Sequence, residues 1–147
     1  MRVFLDANIL FSAAWWDKAA AAMLWPLAKA RYCQLLSSRL AVEEARRNLA
    51  IKRPERIESL EYLLGTISIG TEPGAAQLAA AKAQGLPSTD IPILAAAMAQ
   101  KAKLLVTGDR RDFGHLYRQT IQGVTILPLQ DTLERVLDDA SGACNAP

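Results

Sequence analysis

Apolar positions fall into two alternating arrangements along the chain. Short unbroken runs recur as RVFL at 2–5, YCQLL at 32–36, KLLVT at 103–107 and VTIL at 124–127. Runs of this length without polar alternation read as strands buried on both faces, as in parallel sheets. TISI at 66–69 is a fifth, shorter strand candidate, placed before the turn Glu72-Pro73-Gly74. Longer segments between these runs have helical spacing. A helix is predicted over 7–16, with Asn8 near its start. Another is predicted over KAAAAMLWPLAKAR (18–31), with Asp17 as its N-cap and a bend or interruption at Pro26. Ser37 or Ser38 caps RLAVEEARRNLAIK (39–52), which ends before Pro54. PERIESLEYLL (54–64) stops near Gly65, and AAQLAAAKAQ (75–84) is ended by Gly85. Ser88 or Thr89 caps DIPILAAAMAQKA (90–102), with Pro92 in its first turn, where proline is tolerated. GDRRDFGHLYRQT (108–120) reads as a loop with a short helix, and 128–138 as a last helix.

Strands alternating with helices predict an α/β layer fold with a mainly parallel sheet. The pattern does not give the order of strands. With 147 residues, 51% of them hydrophobic, the chain suits one domain with a real core. We place that domain at 1–140 and read 141–147, SGACNAP, as a flexible tail. A formal net charge of +2 argues against a dedicated nucleic-acid wrapper. Basic residues nevertheless crowd 39–56, and Arg110, Arg111 and Arg118 follow later. Two cysteines, Cys33 and Cys144, lie far apart, so no disulfide framework is expected, and Cys33 reads as core. The N-terminus runs straight into strand-like sequence and the Ala-rich runs carry Lys or Pro. A cytoplasmic protein without a membrane span is therefore expected.

Asp6 sits within VFLDANILF, an almost wholly apolar stretch. Losing the hydration of an ionised carboxylate costs several kcal/mol unless a partner offsets it. Asp109 follows the KLLVT strand, and ligands of open α/β sheets gather outside the carboxyl ends of strands. Asp90 opens the helix before that strand, while Glu43 and Glu44 lie in the helix after the second strand. Clustered carboxylates raise one another's pKa, and a divalent cation removes that repulsion. Oxygen ligands without matching His or Cys favour Mg2+ or Mn2+. The expected partner of Asp6 is therefore a metal, not a basic side chain. Each acid also has a plainer reading. Asp90 fits a helix cap, Asp109 a turn, and Glu43 and Glu44 a solvated face beside Arg46 and Arg47. Asp6 is the hardest of them to explain in that way.

LDANIL near the start, a Glu-bearing helix after the second strand, DIPILAAAMAQKAKLLVTGDRRDF and VTIL together resemble a PIN domain over roughly 2–137. The resemblance implies a three-layer α/β/α fold and a metal-dependent ribonuclease, commonly the toxin of a toxin–antitoxin pair. It implies a catalytic quartet of Asp6, Glu44, Asp90 and Asp109, with Glu43 the neighbouring alternative to Glu44. Asp6, Asp90 and Asp109 would hold Mg2+ or Mn2+. Asn8 and Thr107 would support the site, and Asp112 would serve as a further acid or cap a short helix. RNA is the implied substrate, a small antitoxin the implied partner and a homodimer the implied assembly.

Arg46, Arg47, Arg110 and Arg111 are candidates for phosphate contacts, or else form a solvated face. Trp15, Trp16 and Trp25 fit core or interface positions better than base stacking. His115 has no second histidine to pair with and reads as a surface residue. Two other functions compete. A dehalogenase-like phosphatase wants a second acid two residues after its aspartate nucleophile, and Asn8 stands there. A non-catalytic module binding RNA or protein predicts missing acids, and all four are present.

Overall fold

The computed structural model describes residues 1–145. Its elements run β1 (Arg2–Leu5), α1 (Ala7–Trp15), α2 (Leu24–Lys29), β2 (Gln34–Ser37), α3 (Arg39–Lys52), α4 (Ile57–Leu64), β3 (Ser68–Ile69) and α5 (Ala75–Lys82). They continue with α6 (Ile91–Ala99), β4 (Leu104–Val106), α7 (Arg110–Phe113), β5 (Thr120–Ile121), β6 (Val124–Leu127) and α8 (Leu129–Asn145). The last helix continues past Asp138 through Asn145, so most of the segment read as a tail is helical. Residues 146–147 lie outside the described residues.

The six strands form one sheet in the order β3-β2-β1-β4-β6-β5. All pairings are parallel except the β5–β6 hairpin. Right-handed crossovers that move in opposite directions along a sheet place their helices on opposite faces. β1 to β2 to β3 moves one way, and β3 to β4 moves back. The helices accordingly pack in two groups, α1 against α3 and α4, and α5 against α6. The expected layered α/β architecture is the one observed.

The apolar runs explain the centre of the sheet. Val3, Phe4, Leu5, Leu36, Leu104, Leu105 and Val106 are fully buried, as strands covered on both sides must be. α3 buries one stripe, Ala41, Val42, Ala45 and Leu49, and leaves its charged face outside. Ser38 caps it by accepting from the Ala41 N–H at 3.2 Å, while Ser37 donates to the Leu5 carbonyl at 2.8 Å.

Several local expectations need correcting. Asp17 caps nothing and instead pairs with Arg56 at 2.5 Å. The segment after it forms a 3-10 turn over Ala20–Met23 and then α2. Pro26 lies in the first turn of α2, where its missing N–H removes no helical bond, so it interrupts nothing. Neither Ser88 nor Thr89 caps α6. Asp90 holds the N-cap position and makes no capping bond. The hairpin strand β5 begins at Thr120, where the sequence predicts the end of a loop. Its two-residue turn has positive φ at Gln122 (52°) and Gly123 (84°), the geometry of a tight hairpin that glycine favours.

Cys33 is buried, as expected of a core residue, whereas the Cys144 side chain lies outside the described residues. Among the described residues no helix is long and apolar enough to cross a membrane.

Candidate active site

The sheet order puts β1 beside β4, with Leu5 paired to Val106. This is where the chain's winding reverses direction, and such a point opens a crevice at the carboxyl ends of the two strands. Asp6 directly follows β1, and Asp109 follows β4 by way of Thr107 and Gly108. A cleft of about 650 Å³ opens there, lined by Asp6, Asn8, Glu44, Asp90 and Asp109 among others. Four acids far apart in sequence thus meet because the strands that carry two of them are neighbours.

Asp6 is buried, and its carboxylate is held by the chain itself. One oxygen accepts from the Ala7 N–H at 2.7 Å. The other accepts from the Thr107 hydroxyl at 2.8 Å and the Asn8 amide at 3.2 Å. No basic side chain among the described residues pairs with it. Burial pushes its pKa up to about 6. The bonds from Thr107 and Ala7 oppose that shift, and Glu44 and Asp109 add to it. Asn8 and Thr107 tie the two strand ends together. The Asn8 carbonyl oxygen accepts from the Gly108 N–H at 2.8 Å, and the Thr107 hydroxyl accepts from the Asp109 N–H at 3.2 Å. Tyr117 donates to the Thr107 carbonyl at 2.8 Å, bracing the loop from behind.

Asp90 is arranged differently. It caps no helix, and its Oδ2 is buried without a hydrogen-bond partner among the described residues. Oxygens of Asp90, Asp109 and Asp112 lie within 4.8 Å of one another. Burial pushes the Asp90 pKa up to about 7, reinforced by the adjoining Asp112 carboxyl and the charges of Asp6 and Asp109. A buried polar atom without a partner is costly, so native proteins rarely keep one without a reason. Three converging carboxylates with an orphaned oxygen fit a hard divalent cation in donor type and spacing. Asp109 also accepts from the Asp112 N–H at 3.1 Å, so it starts α7 as well as facing the cleft.

The close trio contains Asp90, Asp109 and Asp112, where the sequence reading grouped Asp6, Asp90 and Asp109. Asp112 joins because α7 turns it back toward Asp90 within one helical turn of Asp109. Asp6 stands beside the trio with its oxygens engaged. Glu44 lines the cleft, whereas Glu43 lies 3.8 Å from Arg39 on the outer side of α3.

The proposed basic residues are dispersed. Arg46 is held by Glu61 of α4 through two bonds of 2.6 and 2.9 Å, and neither Arg47 nor Arg111 lines the cleft. Arg110 lies in a neighbouring groove with Tyr117 and Leu129. The cation that lines the cleft is Lys52, which the sequence reading missed. Its signal was the spacing Glu44, Asn48, Lys52, which puts all three on one face of α3. Trp15 and Trp16 are exposed, and Trp25 packs on the core with its indole N–H donating to the Leu63 carbonyl at 3.1 Å. None of the three tryptophans is a fully buried core residue. His115 contacts the Gln84 carbonyl at 2.8 Å, away from the acids.

A family model described as PIN domain matches residues 2–111. Solved structures share the fold at low identity. VapBC2 from Rickettsia felis, in a structure with a DNA fragment from its promoter, is 18% identical with a TM-score of 0.63, over 87% of this chain and 98% of that one. PAE2754 from Pyrobaculum aerophilum is 20% identical with a TM-score of 0.62, over 94% of this chain and 99% of that one. FitAcB from Neisseria gonorrhoeae is 19% identical with a TM-score of 0.55, over 87% and 98%. Comparison with curated proteins gives no match.

Proposed function

The chain belongs to the PIN domain family, and on that premise we propose that it is a metal-dependent endoribonuclease that hydrolyses RNA phosphodiester bonds. The observation that carries this reading is the convergence of the Asp90, Asp109 and Asp112 carboxylates, with one buried Asp90 oxygen left without a partner. Asp90, Asp109 and Asp112 would hold Mg2+ or Mn2+, with Asp6 beside them. When bound, the ion supplies Lewis acidity for phosphoryl transfer and offsets the repulsion among the acids. Asp6, fixed by Thr107 and Asn8, keeps a carboxylate oriented at the end of β1. Glu44 faces the cleft from α3, where it can accept a proton from an attacking water.

We also assign the protein as the toxin of a toxin–antitoxin pair acting in the cytoplasm. The likeness to the VapBC and FitAcB chains supports a small antitoxin as partner. A homodimer belongs to the same reading. Purified protein is tested on labelled single-stranded RNA with Mn2+, with Mg2+ and with chelator, beside Asp90→Asn. Metal-dependent cutting by the wild type alone is the expected result. Cutting that survives chelation, or persists in Asp90→Asn, overturns the reading.

A further inference from the structure

The cleft continues beyond the acids. α1 and α3 pack together, and the residues they contribute to the cleft change in character along its length. On α3 these are Glu44, Asn48 and Lys52, spread over about 12 Å of helix rise. On α1 they include Asn8 and Phe11. The acid end thus passes into an end carrying an amide, an aromatic ring and a cation. Among the described residues Lys52 makes no ion pair, and neither does Arg47, while Arg39, Arg46, Arg53 and Arg56 all do; of the two without one, Lys52 lines the cleft. The Lys52 ammonium lies over the Phe11 ring, 5.7 Å from its centroid, in a cation–π contact. That ring packs on Trp15 with centroids 5.3 Å apart. Phe11 is half-buried and lines the cleft.

An uncompensated cation beside an aromatic ring, in a cleft that leads to a carboxylate cluster, suits a ligand carrying both a phosphate and a flat base. We propose that Phe11, Asn48 and Lys52 form a subsite for the nucleotide flanking the scissile phosphate, a proposal that rests on the nuclease reading above. Lys52 moves off the Phe11 ring to contact the flanking phosphate, Asn48 donates to the same backbone, and the base stacks on the ring face that Lys52 leaves. A base can stack there only when it is unpaired, so the subsite selects single-stranded substrate at this position.

The test is equilibrium binding of a fluorescent single-stranded RNA oligonucleotide at increasing KCl. Ca2+ replaces the catalytic ion, and the oligonucleotide is checked on a gel for intactness. Lys52→Gln is expected to weaken binding about tenfold and to lower the slope of log affinity against log salt by about 0.7, one phosphate contact on a single strand. Lys52→Arg should keep the slope. Phe11→Leu should weaken binding about tenfold with the slope unchanged, since stacking carries no salt dependence of this kind. Wild-type affinity and slope in Lys52→Gln, or a wild type that does not bind, overturns the subsite. Cleavage in Mn2+ is read in parallel. A wild type that binds with these signatures but does not cut contradicts the nuclease reading and leaves the subsite standing. A wild type that cuts, with unchanged Lys52→Gln binding, contradicts the subsite alone.

Discussion

Asp6 and Asp90 are both carboxylates whose ionised form is disfavoured by burial, yet they differ in what holds them. Asp6 has donors from Ala7, Asn8 and Thr107, whereas Asp90 keeps an oxygen without one. Asp90→Asn should therefore fold normally and lose metal-dependent cleavage by at least about 100-fold, since even partners of metal ligands cost 10–100-fold. Thr107→Val should act on the other acid. It leaves Asp6 with a weaker set of donors and should destabilise the protein by about 1–2 kcal/mol, measured by urea unfolding. Glu44→Gln and Glu43→Gln separate neighbours in sequence: the first should impair cleavage and the second should leave it near wild type. At this scale the sequence was informative where burial and charge conflict, as at Asp6. Asp112 was harder to place, because its role depends on α7 folding back toward a residue twenty-two positions earlier. Lys52 was hidden among six basic residues at 39–56, whose partners only tertiary packing reveals.

Helices and strands were legible where one local rule dominated. The buried runs became strands, and Ser38 capped α3 as its position before an amphipathic stretch required. Ser38→Ala should cost about 1 kcal/mol in chemical denaturation and loosen the first turns of the helix that carries Glu44. The misplaced features share a different cause. Asp17 was read as a cap, but Arg56 from a distant turn takes its carboxylate. Asp90 sits at a cap position without capping, a local rule broken where the site gathers its acids. β5 is two residues long, too short for periodicity to register, and its evidence lies in the Gln122-Gly123 turn instead.

For the molecule as a whole, the layered α/β fold could be read from alternation, but the adjacency of β1 and β4 could not. That adjacency is what turns scattered acids into a cluster. Its energetic consequence is a dependence of stability on pH. Asp6 and Asp90 have folded pKa values near 6 and 7, above the ordinary aspartate value of 3.8. The folded state therefore binds more protons than the unfolded chain between about pH 4 and 7, and stability falls as pH rises through that window. The metal-free protein should melt at a lower temperature at pH 8 than at pH 5, with Asp90→Asn showing a smaller drop. Mn2+ should raise the melting temperature more at pH 8, where its ligands are ionised. The most direct measurement is a calorimetric titration of Mn2+ into folded wild type and folded Asp90→Asn at pH 6.5, in two buffers of different ionisation heat. Binding with proton release is expected in the wild type, and at least about tenfold weaker binding in the variant. Equal affinity in the two proteins, or no binding by the folded wild type, would contradict the assignment of the acid cluster as a metal site.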